Sequence, residues 1–159
     1  MIYDANLDLV LEKTLPMTPE QVWRGYTDPE TLMKWFCPRP WKVVACEIDL
    51  QPGGAFKTTM QSPEGERFPN LGSYLQIIEN KKIVWTNAML PGFRPTSIED
   101  SETGFIFTVI IELSPHPGGT LFRATLKHKN SEDQKKHAAM GFEQGWSAAL
   151  NQLVDLFKK

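Results

Sequence analysis

The stretch SEDQKKHAAMGFEQGWSAALNQLVDLFKK, residues 131–159, decides the fold because it predicts one long amphipathic helix that closes the chain. Ser131 is the predicted N-cap, and Gln134 three residues later completes a capping box. A helix of about 28 residues is ~42 Å long, so it needs an equally large surface to pack against. The predicted apolar stripe has helical spacing and comprises Ala139, Phe142, Trp146, Ala149, Leu150, Leu153, Val154 and Phe157.

Two glycines, Gly141 and Gly145, lie inside this predicted helix beside the aromatic residues Phe142 and Trp146. Each glycine costs about 1 kcal/mol relative to alanine in a helix interior. One interpretation is that the missing side chains leave a gap beside the rings and form a cavity wall. The alternative is that the glycines let a strand or loop pass close to the helix. Both interpretations fit the sequence.

Upstream of this helix, apolar and polar residues alternate in seven segments, the pattern of strands with one buried face. The fourth segment has no clear phase, because Tyr74 and Ile78 oppose Leu75 and Ile77. Short turns join the second to the seventh strand, which predicts an antiparallel meander. The seven predicted strands cover residues 7–15, 44–50, 56–61, 67–78, 83–89, 105–113 and 122–128.

Two short helices are predicted after the first strand. Thr18, Pro19 and Gln21 supply an N-cap, a proline in the first turn and the glutamine of a capping box. Asp28 and Pro29 repeat the start signal and predict a second helix that ends near residue 35. The element order therefore predicts an α+β fold, in which a seven-stranded antiparallel sheet wraps around the long C-terminal helix.

Composition and charge exclude several classes of function. The net charge of −2 argues against a nucleic-acid partner, which would need a basic face. The apolar runs are far shorter than the ~20 residues of a membrane span. Cys37 and Cys46 are too few for a disulfide framework or a zinc site. We expect one soluble domain over residues 1–159, with reduced thiols, a cytoplasmic location, no cofactor, no metal, and a monomeric or homodimeric state.

The segment 90–103 is the longest irregular stretch of the chain, and loops of this length are uncommon unless they have a function or are mobile. Its acidic residues Glu99, Asp100 and Glu102 are predicted to form a solvated surface rather than a metal site.

Several motifs resemble the START-like (SRPBCC) superfamily, and within it the branch named after the C-terminal domain of the activator of the heat-shock protein 90 ATPase. The resemblance covers nearly the whole chain, and it implies the helix-grip fold with an apolar cavity between sheet and helix. It implies no catalytic residue, because the residues used differ between branches. The motifs are EIDLQPGGAF at 47–56, the most specific, with TPEQVW at 18–23, WFCP at 35–38, SPEG at 62–65, GSYLQI at 72–77, IVWT at 83–86 and the closing helix from 145.

A ligand-binding cavity is the leading functional prediction. Thr58, Tyr74 and Asn87 could orient a ligand in an otherwise apolar pocket, the usual composition of a small-molecule site. Alternatively, each could only satisfy a local hydrogen bond. The predicted ligand is a small hydrophobic or aromatic molecule. The candidate cavity residues are Trp35, Phe56, Thr58, Met60, Tyr74, Trp85, Asn87, Phe105, Phe107, His128, Phe142 and Trp146.

Two other functions remain open at this point. The resemblance also implies a co-chaperone-like module with heat-shock protein 90 as partner, although the first strand starts so early that we expect no separate N-terminal domain. The second is a cyclase, aromatase or hydrolase with His128 or Tyr74 as acid, although the favoured interpretation of His128 is a strand-end histidine that contacts solvent or a carbonyl. A nucleophilic Cys37 paired with His116, His128 or His137 is less favoured, because no third orienting group is evident.

Overall fold

The computed structural model describes residues 2–97 and 105–158, so the predicted acidic loop residues Glu99, Asp100 and Glu102 lie outside the described part of the chain. The elements in chain order are β1 (Asp8–Leu15), α1 (Pro19–Thr27), α2 (Pro29–Leu32), β2 (Lys42–Ile48), β3 (Ala55–Gln61), β4 (Arg67–Ile78), β5 (Lys82–Thr86), β6 (Met89–Leu90), β7 (Arg94–Pro95), β8 (Phe107–His116), β9 (Gly119–His128), α3 (Ser131–Ala139) and α4 (Phe142–Phe157).

Seven strands form one antiparallel sheet in the order β1-β9-β8-β5-β4-β3-β2. From β2 to β9, each strand of this sheet pairs with the next strand of the sheet in chain order, and β1 pairs with β9 at the other side. The separate hairpin β6–β7 lies in the chain between β5 and β8. The predicted α+β helix-grip architecture is thereby confirmed. The predicted fifth strand was too long, because β5 ends at Thr86 and Met89 belongs to the separate hairpin β6–β7.

A bulge in β4 explains why its sequence pattern has no clear phase. The register against β5 shifts between Tyr74 and Gln76, so Leu75 is an extra residue on this strand. Tyr74 and Ile77 therefore both face the core, whereas Ile78 is 41% exposed. One inserted residue exchanges the two faces of a strand, and a strict alternation cannot describe both halves.

The two short helices begin where the sequence predicts. Thr18 Oγ1 accepts a hydrogen bond from the Gln21 amide at 3.2 Å, and Gln21 Oε1 accepts one from the Thr18 amide at 2.9 Å. Asp28 caps α2, which ends at Leu32, earlier than predicted, and a turn follows. Trp35 in that turn donates its indole N–H to the carbonyl of α1 residue 25 at 2.9 Å, which fixes the turn against α1.

The predicted single C-terminal helix is wrong, because Gly141 divides it into α3 and α4. Gly141 has φ 87°, a left-handed conformation that a residue with a β-carbon avoids. The predicted N-cap is also wrong: the side chain of Asn130, not Ser131, accepts from the Asp133 amide at 2.8 Å. Ala139, the first residue of the predicted apolar stripe, is exposed.

Helix α4 is the helix that the sheet grips. Its core face buries Ala149, Leu150, Leu153 and Val154. It also lies close to α1: a β-carbon at Gly25 would come within 2.5 Å of Leu153 Cδ1. Across the described residues, no helix combines the length and the apolar character that crossing a membrane requires.

Candidate functional site

A cavity of about 640 Å³ lies between the inner face of the sheet and α4. This volume is within the range of about 300–1,000 Å³ that small-molecule sites occupy. Most of its lining is apolar or aromatic. Nine of the twelve predicted residues line it, namely Trp35, Phe56, Thr58, Met60, Trp85, Asn87, Phe107, Phe142 and Trp146. Their contact with a ligand stays a prediction.

Three predicted residues lie behind the cavity wall. Tyr74 is 1% exposed and stacks on Phe56 with ring centroids 5.2 Å apart. Phe105 is fully buried. His128 is 6% exposed, and its Nδ1 lies 2.9 Å from the carbonyl oxygen of Leu7, which matches the strand-end alternative.

A series of edge-to-face ring contacts supports one side of the cavity. Trp35 lies between Tyr26 and Phe36, with centroid distances of 4.9 Å and 5.5 Å. Phe36 continues to Phe56 at 5.7 Å, and Phe56 to Trp85 at 5.0 Å. Such pairs hold rings in fixed relative orientations. The wall is therefore a rigid aromatic surface rather than a set of independent side chains.

The break between α3 and α4 lies at the mouth of the cavity. Among the lining residues, Met140 is 60% exposed and Leu71 on β4 is 41% exposed, so the cavity wall extends to the surface at both residues. Gly141 and Gly145 also line it. A β-carbon at Gly141 would meet nothing within 4 Å, and one at Gly145 only Pro38 Cγ at 3.9 Å. Neither glycine is required for a close approach, and both leave open space at the cavity.

The polar groups of the wall divide into those that hold the fold and those that stay available. Asn87 Oδ1 accepts from the Phe107 amide at 2.8 Å, and Asn87 Nδ2 donates to the Phe105 carbonyl at 3.3 Å. This side chain therefore joins the segment after β5 to the start of β8. Thr58 is 4% exposed, and its hydroxyl makes no hydrogen bond with any described residue. Thr58 therefore remains a candidate for orienting a ligand.

His137 is a lining residue that the sequence indicated only as a possible partner for a thiol. It lies on α3, is 9% exposed, and its Nδ1 is 2.9 Å from His128 Nε2. Its ring packs against Phe107 at 4.7 Å and Phe105 at 5.1 Å. Burial, and secondly the nearby His128, lower the pKa of His137 to about 4. The imidazole at the cavity is thus neutral at pH 7.

The chemistry of the wall does not favour a cysteine nucleophile. Cys37 lines the cavity, and burial raises the pKa of its thiol to about 11. The reactive form is the thiolate, which is scarce at neutral pH when the pKa is this high. Both Cys37 and Cys46 are free. In the part of the chain that the structure describes, no three His, Cys, Asp or Glu side chains are grouped to hold a metal ion.

Comparisons with known proteins agree with this architecture. The family model described as Activator of Hsp90 ATPase homolog 1-like protein matches residues 16–158. A solved protein from Nitrosomonas europaea is 42% identical, with a TM-score of 0.90 over 97% of this chain and 96% of that one. Two more distant proteins share the fold. The protein from Rhodobacter sphaeroides is 19% identical, with a TM-score of 0.79 over 96% of this chain and 92% of that one. The protein from Mycobacterium smegmatis is 23% identical, with a TM-score of 0.78 over 96% of this chain and 91% of that one. No curated protein matches.

Proposed function

The chain belongs to the family of Activator of Hsp90 ATPase homolog 1-like proteins, and from this premise we propose that it binds a small hydrophobic or aromatic molecule in the cavity between the sheet and α4. The observation that carries the proposal is an apolar space of about 640 Å³ that reaches the surface beside Met140 and Leu71. Transfer of apolar surface from water into such a space is favourable by roughly 25 cal/mol per Å².

The aromatic wall supports the same proposal. Trp35, Phe56 and Trp85 are held by ring contacts, so a ligand would not have to order them on binding. Preorganised side chains lower the entropic cost of association. Flat aromatic or polycyclic molecules fit such a wall best, because their rings can stack on its faces or edges.

Gly145 offers a sharp test, because a side chain placed there starts at the cavity wall. We would titrate the wild type, Gly145→Leu and Gly145→Ala with the fluorophore anilinonaphthalene sulfonate. Saturable binding is expected for the wild type and the alanine control, and at least about tenfold weaker binding for the leucine variant, whose side chain occupies ligand space. Leucine is a good helix former, so the variant should retain its fold, which circular dichroism would verify.

Two results would contradict the proposal. The first is the absence of saturable uptake by the wild type, both for this fluorophore and for a panel of lipids and polyaromatic molecules. The second is equal affinity of the wild type and the Gly145→Leu variant, since the fluorophore would then bind elsewhere on the protein.

The alternative functions have weaker support. The family description names an activator of the Hsp90 ATPase, so a co-chaperone-like role stays a prediction that rests on that description alone. Stimulation of the chaperone ATPase by this chain would rank that role first. An enzyme is not proposed, because His128 and Tyr74, the suggested acids, lie behind the wall. The cytoplasmic location and the oligomeric state also remain predictions.

A further inference from the structure

The two buried histidines form a hydrogen-bond chain whose direction follows from its far end. A backbone carbonyl can only accept, so the 2.9 Å contact between His128 Nδ1 and the Leu7 oxygen places a proton on that nitrogen. When both rings are neutral, His128 Nε2 is then an acceptor. The 2.9 Å contact between the rings therefore requires that His137 Nδ1 donates to it.

This direction fixes the state of the remaining nitrogen. A neutral imidazole carries one N–H, and His137 uses it toward His128. The Nε2 atom of His137 is left with a lone pair and, among the described residues, with no hydrogen-bond partner. His137 itself is nine-tenths buried and lines the cavity. A ligand that supplies a donor to this lone pair gains a hydrogen bond inside a largely apolar cavity.

We propose that His137 selects, within the cavity, aromatic molecules that carry a hydroxyl or N–H group, by accepting their hydrogen bond at Nε2. The proposal rests on the proposed function, since it names the class of ligand for the same site. The aromatic part of the ligand meets Phe107 and Phe142, the rings that border His137. Molecules that offer only acceptors, such as ethers, meet a lone pair and are disfavoured.

Protonation reverses this preference. When the pair takes up one proton, three of its four ring nitrogens carry a proton. If His137 is the charged ring, both of its nitrogens are protonated. If His128 is the charged ring, its Nε2 donates to His137 Nδ1, and the proton of His137 lies on Nε2, so Nε2 is a donor in both cases. Several charged groups on the elements around the pair have partners of their own: Asp8 pairs with Lys127, Asp133 pairs with Lys129, and Lys136 lies over the ring of Phe105. His128 is the group whose charge acts on His137.

The experiment compares β-naphthol with its methyl ether, which differ in the donor and little in shape. Each would displace anilinonaphthalene sulfonate from the full chain at neutral pH. A hydrogen bond to a buried group predicts about tenfold tighter binding of the naphthol. His137→Phe should remove the preference, and His137→Gln, whose carbonyl can accept, should retain part of it. At a pH below that at which His137 protonates, the preference should shrink or invert.

A second measurement does not depend on a variant or on a ligand. Imidazole nitrogen NMR of the wild type should show His137 with a protonated Nδ1 and an unprotonated Nε2. The opposite tautomer would overturn the inference, and so would equal or tighter binding of the methyl ether. In both cases cavity binding itself would survive. If neither compound nor the fluorophore binds, the proposed function fails, and the ligand class fails with it.

Discussion

The pH dependence of stability should report the burial of His137 directly. Burial and the neighbouring His128 hold the pKa of His137 at about 4, below its ordinary value of 6.5. Between these two values the unfolded chain binds a proton at this site and the folded chain does not. Stability that is present above pH 6.5 is therefore lost as the pH falls through this window.

The size of the effect follows from the width of the window. Each pH unit corresponds to about 1.4 kcal/mol for one proton, so the full loss from pH 6.5 to about 4 is about 3 kcal/mol. This is a large share of the roughly 5–15 kcal/mol that a folded domain typically has. The loss should be visible above the titration of other groups when a matched variant is subtracted.

The matched variant is His137→Gln, which does not titrate and whose amide can still donate toward His128. Urea unfolding of both proteins, followed by tryptophan fluorescence, would be measured at about pH 7 and about pH 4.5. The wild type should lose about 2.4 kcal/mol more than the variant between the two conditions, most of the full effect. His116→Gln, at the exposed end of β8, is the control for removing a histidine. Equal losses in the wild type and in His137→Gln would refute the reasoning.

Three further predictions test the corrected C-terminal segment and the core. Gly145→Ala should stabilise the fold by about 1 kcal/mol, because alanine has the higher helix propensity. Gly141→Ala should destabilise the fold by about 1–2 kcal/mol, because its backbone is left-handed. Thermal unfolding of the two variants should show a higher melting temperature for the first and a lower one for the second. Asn130→Ala should cost about 1 kcal/mol and Ser131→Ala much less, and equal costs in denaturant unfolding would contradict the assigned cap. Tyr74→Phe should be neutral or stabilising by about 1 kcal/mol in the same assay, because the buried hydroxyl has no partner among the described residues, and a clear loss would reveal one.

The sequence predicts the fold well because most of its signals are local. The capping box of α1, the turn residues and the two-residue alternation each act within a few positions, and the structure confirms the start of α1 and the seven-stranded sheet. In two segments a single residue interrupts the period, so that the pattern is unclear in one and misleading in the other. Leu75 does so as a bulge in β4, and Gly141 does so as a left-handed residue between α3 and α4. A bulge and a left-handed residue leave the surrounding residue types unchanged, so the spacing of apolar residues does not reveal the position of either one.

The cavity residues divide along the same line. Eight positions on predicted inner faces do line the cavity, because strand alternation and the apolar stripe of the C-terminal helix place them correctly. The ninth, Trp35, lies in the turn after α2. Tyr74 and His128 share those inner faces but lie behind other side chains. Alternation along a strand predicts the side of the sheet on which a residue lies, but it does not predict whether another ring covers that residue. That depth is a property of packing between elements, and it is absent from any single segment.

The break at Gly141 also explains why the sequence does not predict His137 as a lining residue. A single helix would carry one apolar stripe through residues 139–157, and a histidine two residues earlier would fall on its polar flank. The break gives α3 a phase of its own, in which the buried positions are Asp133 and His137, one turn apart. The Asp133 carboxylate pairs with Lys129, and its backbone amide donates to the Asn130 side chain. The His137 imidazole contacts His128 and lines the cavity. A polar side chain thus reaches an apolar site because a glycine ended the helix that would have kept it outside.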